Sequence, residues 1–139
     1  MLIGSFLHNV DTKGRVFIPA KFRLDLGSHF YVYRSHDGCI RAYGEAEWKL
    51  VLDKLKNSTV KSNQLHRRIL SSTVEVDMDS QGRVLIPEEL RKFALIVDKV
   101  KIVGMADWVE FWNPDKFDLL DRMENEEEDV ELMHELGMC

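Results

Sequence analysis

Two arginines occupy the same place in two copies of one phrase. Asp11–Pro19, DTKGRVFIP, returns 68 residues later as Asp79–Pro87, DSQGRVLIP, with Asp, Gly, Arg, Val, Ile and Pro kept. Most of the phrase explains itself as structure. The carboxylates of Asp11 and Asp79 can accept from backbone N–H groups two or three residues on, and Gly14 and Gly82 supply a positive φ. Val, Ile and Pro make a strand and end it. Arg15 and Arg83 have no such evident duty, and two remain open for them. Each could pair with the Asp of its own turn, which for an exposed pair contributes about 0–1 kcal/mol. Alternatively, a rigid tip holds each guanidinium outward for bidentate contact with phosphate or with guanine O6 and N7.

Local charge separates the copies. Residues 11–23 carry Lys13, Arg15, Lys21 and Arg23 against Asp11, a net +3, whereas residues 79–91 net −1 and have neutral Gln81 where the first copy has Lys13. If the surface meets a polyanion, the first copy is expected to supply most of the phosphate attraction. The chain's net charge of −5 conceals this. Residues 121–139 hold eight acids and one arginine, so the first 120 residues net +2.

Other chemistry finds little support. There is no G-x-x-x-x-G-K-[ST], G-x-S-x-G, H-E-x-x-H or paired C-x-x-C motif, and the acidic run at 126–129 lacks the spacing of a calcium loop. The five histidines are scattered and none recurs in the other copy. Periodicity places no histidine beside Cys39 for a nucleophilic pair, and His8, Asp11 and His36 make a poor metal set. The expectation is a protein without catalysis, metal, cofactor or small-molecule substrate. Cys39, placed inside a strand, and Cys139, at a frayed end, are too few for a disulfide framework. With no apolar run near the ~20 residues of a membrane span and no signal segment, the expected location is the cytoplasm.

The elements that must position the arginines also come in two sets. GSFLHNV (4–10) with VFIP (16–19), and TVEVDM (73–78) with VLIP (84–87), read as strands flanking a tight turn, hence as two hairpins. Pro19 and Pro87 end the returning strands and open short helices at AKFRLDL and EELRKFA, where Arg23 matches Arg91. Strand pairs 30–34 with 39–43, and 99–104 with 108–112, come next. A helix then follows in each half. Over 44–55, Trp48, Val51, Leu52 and Leu55 form its apolar stripe; over 113–123, Asn113 caps, Pro114 opens, and Phe117, Leu120 and Met123 face inward. SNQLHRRILSS (62–72) reads as a helical connector with Leu65, Ile69 and Leu70 inward. A 70-residue half has a thin core, so the halves should share one as a pseudo-twofold pair. The divisions expected are 1–58, a connector at 59–72, 73–120, and an acidic tail at 121–139.

Taken together, MLIGSF, DTKGRVFIPAKFR, Glu47-Trp48, DSQGRVLIP with Leu90-Arg91, and VGMADWVEFW with Gly104, Glu110 and Trp112 resemble the MraZ family of bacterial transcriptional regulators across nearly the whole chain. The resemblance implies a mixed, mainly β fold of two tandem SpoVT/AbrB-like swapped-hairpin halves. It further implies sequence-specific binding of double-stranded DNA at short direct repeats upstream of the division and cell-wall genes, including its own gene. Ring-like homo-oligomers, which would add effective concentration, and a nucleoid-associated location are implied as well. Carried over by position, DNA contact falls on Lys13 and Arg15, then Arg83, with Asp11, Gly14, Asp79 and Gly82 shaping the tips; Lys21 and Arg23 join the expected DNA-binding residues on local charge. A rival reading is a non-enzymatic, antitoxin-like interaction module whose arginines meet a partner's carboxylates.

Overall fold

The structure, a computed structural model, describes residues 1–57, 63–123 and 126–139. The first half runs β1 (Leu2–Asn9), β2 (Arg15–Phe17), α1 (Ala20–Leu26), β3 (His29–Arg34), β4 (Ile40–Gly44) and α2 (Glu45–Asn57). After α3 (Asn63–Ser72) the second half follows as β5 (Val74–Asp77), β6 (Arg83–Leu85), α4 (Glu88–Ala94), β7 (Lys99–Ala106), β8 (Val109–Trp112) and α5 (Pro114–Arg122). A last helix, α6 (Glu126–Glu135), carries the acidic run and buries none of its residues.

The repeated turns form as expected, but the strands flanking them do not pair with each other. β1 pairs with β7, β5 pairs with β3, and β2 pairs with β6 as a separate two-stranded ribbon. The expected hairpins of 4–10 with 16–19 and of 73–78 with 84–87 are therefore replaced by exchanged pairs. The physical reason is economy of backbone satisfaction. Strands of three residues cannot form a stable hairpin alone; joined across the halves, they bury Val16 and Val84 in a common core. The remaining strands make a six-stranded antiparallel sheet in the order β1-β7-β8-β4-β3-β5. The β3–β4 and β7–β8 hairpins are as the sequence suggests.

One core serves both halves. Equivalent positions of the repeat, Val16 and Val84, Ile18 and Ile86, Phe22 and Leu90, Leu26 and Ala94, lie in a single cluster with Phe30, Ile40, Val100, Ile102 and Phe111. Each such Val, Leu, Ile or Phe side chain contributes about 1.5–3 kcal/mol of transfer free energy. At the join, Arg41 of β4 lies directly opposite Glu110 of β8. These are equivalent positions in the two halves, so the pseudo-twofold meets opposite charges where a true repeat would oppose like ones. Glu110 is buried and accepts from Trp108 Nε1 at 3.0 Å and Trp112 Nε1 at 2.9 Å.

The sheet's other face is covered by Trp48 of α2, stacked on Tyr31 and beside Tyr33 and Tyr43, with Val51, Leu52 and Ile69 around it. Of the connector's expected inward residues Ile69 packs against this cluster, whereas Leu65 and Leu70 are about half exposed. Ser62 and the connector's start lie outside the described residues. Phe117 of α5 sits against Trp112, whereas Leu120 and, at the helix's C-cap, Met123 are exposed rather than inward. Cys39 is buried just ahead of β4, where burial pushes its thiol up to about 12. Among the described residues no helix is long and apolar enough to cross a membrane.

Candidate nucleic-acid interface

Each turn is built around its aspartate. Asp11 Oδ1 accepts from the N–H groups of Lys13 (2.9 Å) and Arg15 (2.8 Å), and its Oδ2 accepts from Arg15 Nε at 2.7 Å. The second turn repeats this, Asp79 accepting from Gln81 N, Arg83 N and, at 2.8 Å, Arg83 Nε. These donors, the arginine N–H first, hold both carboxyls below their ordinary value. The two duties left open for Arg15 and Arg83 are thus combined. Nε is spent on the turn, and among the described residues neither terminal nitrogen of either guanidinium has a partner. That paired end is the one suited to two parallel bonds with a phosphate or a guanine edge.

The turns are locked to each other reciprocally. Ile18 N donates to Gly82 O at 2.9 Å and Ile86 N to Gly14 O at 3.1 Å. Gly14 and Gly82 have φ of +86° and +83°, and both are buried beneath an arginine from the opposite half. Arg91 lies over Gly14 and donates its Nε to Ile86 O; Arg23 lies over Gly82 and donates to Ile18 O, each at 2.9 Å. Arg23, grouped with the contact residues on charge alone, therefore has a clamping duty in the fold. The signal was in the sequence: it recurs as Arg91, as a structural residue of a repeat should.

The remaining candidates divide. Lys13 is exposed at the tip of its turn. Lys21 Nζ stands over the Phe6 ring, 6.0 Å from its centroid. Arg15 and Arg83 are brought together: with His8, Asn9, Asp11 and Phe17 they line one groove of about 380 Å³. Burial, then the charge of Arg23, lowers the pKa of His8, so it is neutral near pH 7. On the ribbon's other side, the residue equivalent to Asn9 is the exposed Asp77, which accepts from His29 at 2.7 Å. The second copy thus carries a carboxylate where the first has a neutral amide. Among the described residues no three His, Cys, Asp or Glu side chains converge to hold a metal ion.

The ribbon's exposed face carries four side chains that charge-based reading of the phrase left half unnoticed. Arg15 lies opposite Leu85 and Phe17 opposite Arg83, with Val16 and Val84 turned into the core. A family model described as "MraZ protein, putative antitoxin-like" matches this chain twice, over residues 1–70 and 69–133. The chain belongs to the MraZ family. Relatives named "Transcriptional regulator MraZ" share 42% identity over 81% of both chains in Pediococcus pentosaceus and 38% over 85% of both in Natranaerobius thermophilus. A third, from Lachnoclostridium phytofermentans, is 34% identical over 99% of both. The two MraZ matches meet within α3, the element that joins the exchanged halves.

Proposed function

We propose that this chain is a transcriptional regulator that binds double-stranded DNA through the β2–β6 ribbon and its turns, without catalysis. One observation carries the reading: two copies of the tip are fused into a single ribbon on which Arg15 and Arg83 keep their terminal nitrogens unpartnered beside each other. A two-stranded ribbon fits the major groove of B-DNA. Arg15 and Arg83 then contact base edges or phosphate, Lys13 contacts phosphate, and Asp11, Gly14, Asp79 and Gly82 hold the tips. Arg23 acts through Gly82, and Lys21 adds general attraction.

The finer parts of the reading follow the family resemblance. The DNA is the set of short direct repeats upstream of the division and cell-wall genes, including the chain's own, and a ring-like oligomer engages several repeats at once. Exposed Ile3, Leu7 and Met105 on the outer face of the β1–β7 pair offer apolar surface for such assembly. We divide the chain at 1–58, 59–72, 73–120 and 121–139 and place it in the cytoplasm, at the nucleoid.

A gel-shift with the chain's own upstream region tests the function. Affinity should fall linearly on a log–log plot as salt rises, and Arg15→Ala should abolish the shift while native mass stays the same. Unchanged binding by Arg15→Ala refutes the role of this tip. The antitoxin-like wording of the family description favours the second reading, an interaction module. It predicts no DNA shift at any salt and an acidic protein partner that Arg15→Ala releases.

A further inference from the structure

We propose that Phe17, with Leu85 as its counterpart, reads thymine in the major groove by packing against the C5-methyl group. This deepens the DNA reading above and rests on it.

The ribbon's outer face is a square. Arg15 and Arg83 occupy one diagonal, Phe17 and Leu85 the other, each apolar side chain directly across from one arginine and two residues along the strand from the next. Phe17 is 44% exposed and Leu85 55%, although the same short strands bury Val16 and Val84 almost completely. Neither apolar corner is used by the fold's core. A phenylalanine and a leucine held in water between two guanidiniums are poor choices for a purely electrostatic surface. They suit a surface that must also meet an apolar group among hydrogen-bond acceptors. In a base sequence that description fits one feature, the thymine methyl beside guanine O6 and N7.

The dimensions agree. Diagonal positions of an antiparallel pair lie about 7–8 Å apart, roughly two steps of ~3.4 Å along a strand of DNA. Arginines two steps apart thus leave both apolar side chains over the step between them. Phe17 has the better placement, since it lines the groove with both arginines, whereas Leu85 does not line it.

A structural alternative is that the Phe17 ring merely supports Arg83, whose Cζ stands 5.9 Å from its centroid. Removing the methyl group from the DNA instead of the ring from the protein separates the two. The full chain is footprinted on its own upstream region, and every protected thymine on either strand is replaced in turn by deoxyuridine. Affinities are measured for wild type, Phe17→Ala, Phe17→Leu and Leu85→Ala. One or more uracils should weaken wild type by about three- to tenfold, in line with loss of one buried methyl contact. Phe17→Ala should bind more weakly and become indifferent to that uracil, while Phe17→Leu retains the penalty. If wild type ignores every uracil, or if the penalty survives in both Phe17→Ala and Leu85→Ala, thymine is not read by these residues. Uniform weakening of Phe17→Ala with the penalty intact assigns the ring to holding Arg83 and likewise overturns the proposal. Absence of any footprint is a different result and removes the DNA reading itself.

Discussion

Gly14→Ala should destabilise the protein by about 3 kcal/mol, and most of that loss should come from the opposite half of the chain. Gly14 sits at φ +86°, where an L side chain costs about 1–2 kcal/mol. A Cβ built there would lie 2.6 Å from Arg91 Cζ and 2.8 Å from Arg91 Nε, so the guanidinium must leave. Its departure breaks the 2.9 Å bond from Nε to Ile86 O, a charged donor to a buried residue's carbonyl, for about another 1.5–3 kcal/mol. The assay is urea unfolding at fixed protomer concentration, reading the midpoint at constant m-value. The decisive comparison is a double-mutant cycle. In Arg91→Ala the site over Gly14 is empty, so Gly14→Ala in that background should cost only the backbone term, leaving a coupling of at least about 1 kcal/mol. Purely additive effects, or a Gly14→Ala loss below about 0.5 kcal/mol, would refute the reciprocal clamp. Gly82 with Arg23 should behave alike, since Arg23 covers Gly82 as Arg91 covers Gly14.

Two further outcomes follow from the titrating and buried groups. The folded pKa values of Asp11 and Asp79 lie below the ordinary 3.8, so their contribution to stability is full above about pH 3.8 and is lost as pH falls through the lower folded values. An Asp11→Asn, Asp79→Asn variant should therefore be less stable than wild type at pH 6 and lose less on acidification to pH 3, as urea midpoints would show; parallel losses in both proteins would contradict this. Glu110→Gln leaves one acceptor oxygen for two indole N–H groups and removes the charge 3.6 Å from Arg41 Nε. The expected loss is about 2–4 kcal/mol with a shift in tryptophan emission, and unchanged emission and midpoint would refute it.

Local features were legible in the sequence because their causes are local. A carboxylate, a glycine and a proline at fixed offsets make the same turn wherever the chain places it: the Asp11 and Asp79 carboxylates accept from the N–H two residues on as predicted, while the second bond comes from four residues on, because the N–H three residues on, that of Gly14 or Gly82, donates to the aspartate's own carbonyl. The β3–β4 and β7–β8 hairpins, the Trp48 stripe and the cap at Asn113 were legible for the same reason. Partner choice between distant strands was not. β1 and β2 satisfy the pattern of a hairpin as well as they satisfy their actual pairing, and periodicity carries no record of which free edge a strand will meet. The hints that the halves exchange were the repeat and the swapped-hairpin fold implied by the family resemblance, not the strand pattern.

The same boundary runs through the candidate site. Sequence by itself determined that two rigid turns exist, that each holds an arginine, and that the first copy is the more basic. Only the tertiary structure decided that the two turns become one ribbon, that Arg23 and Arg91 clamp the opposite half's glycine, and that Phe17 and Leu85 share a face with Arg15 and Arg83. The reason is that a turn's shape depends on residues within four positions of each other, whereas a face is assembled from residues 68 positions apart, brought together by burying Val16 and Val84 in one core.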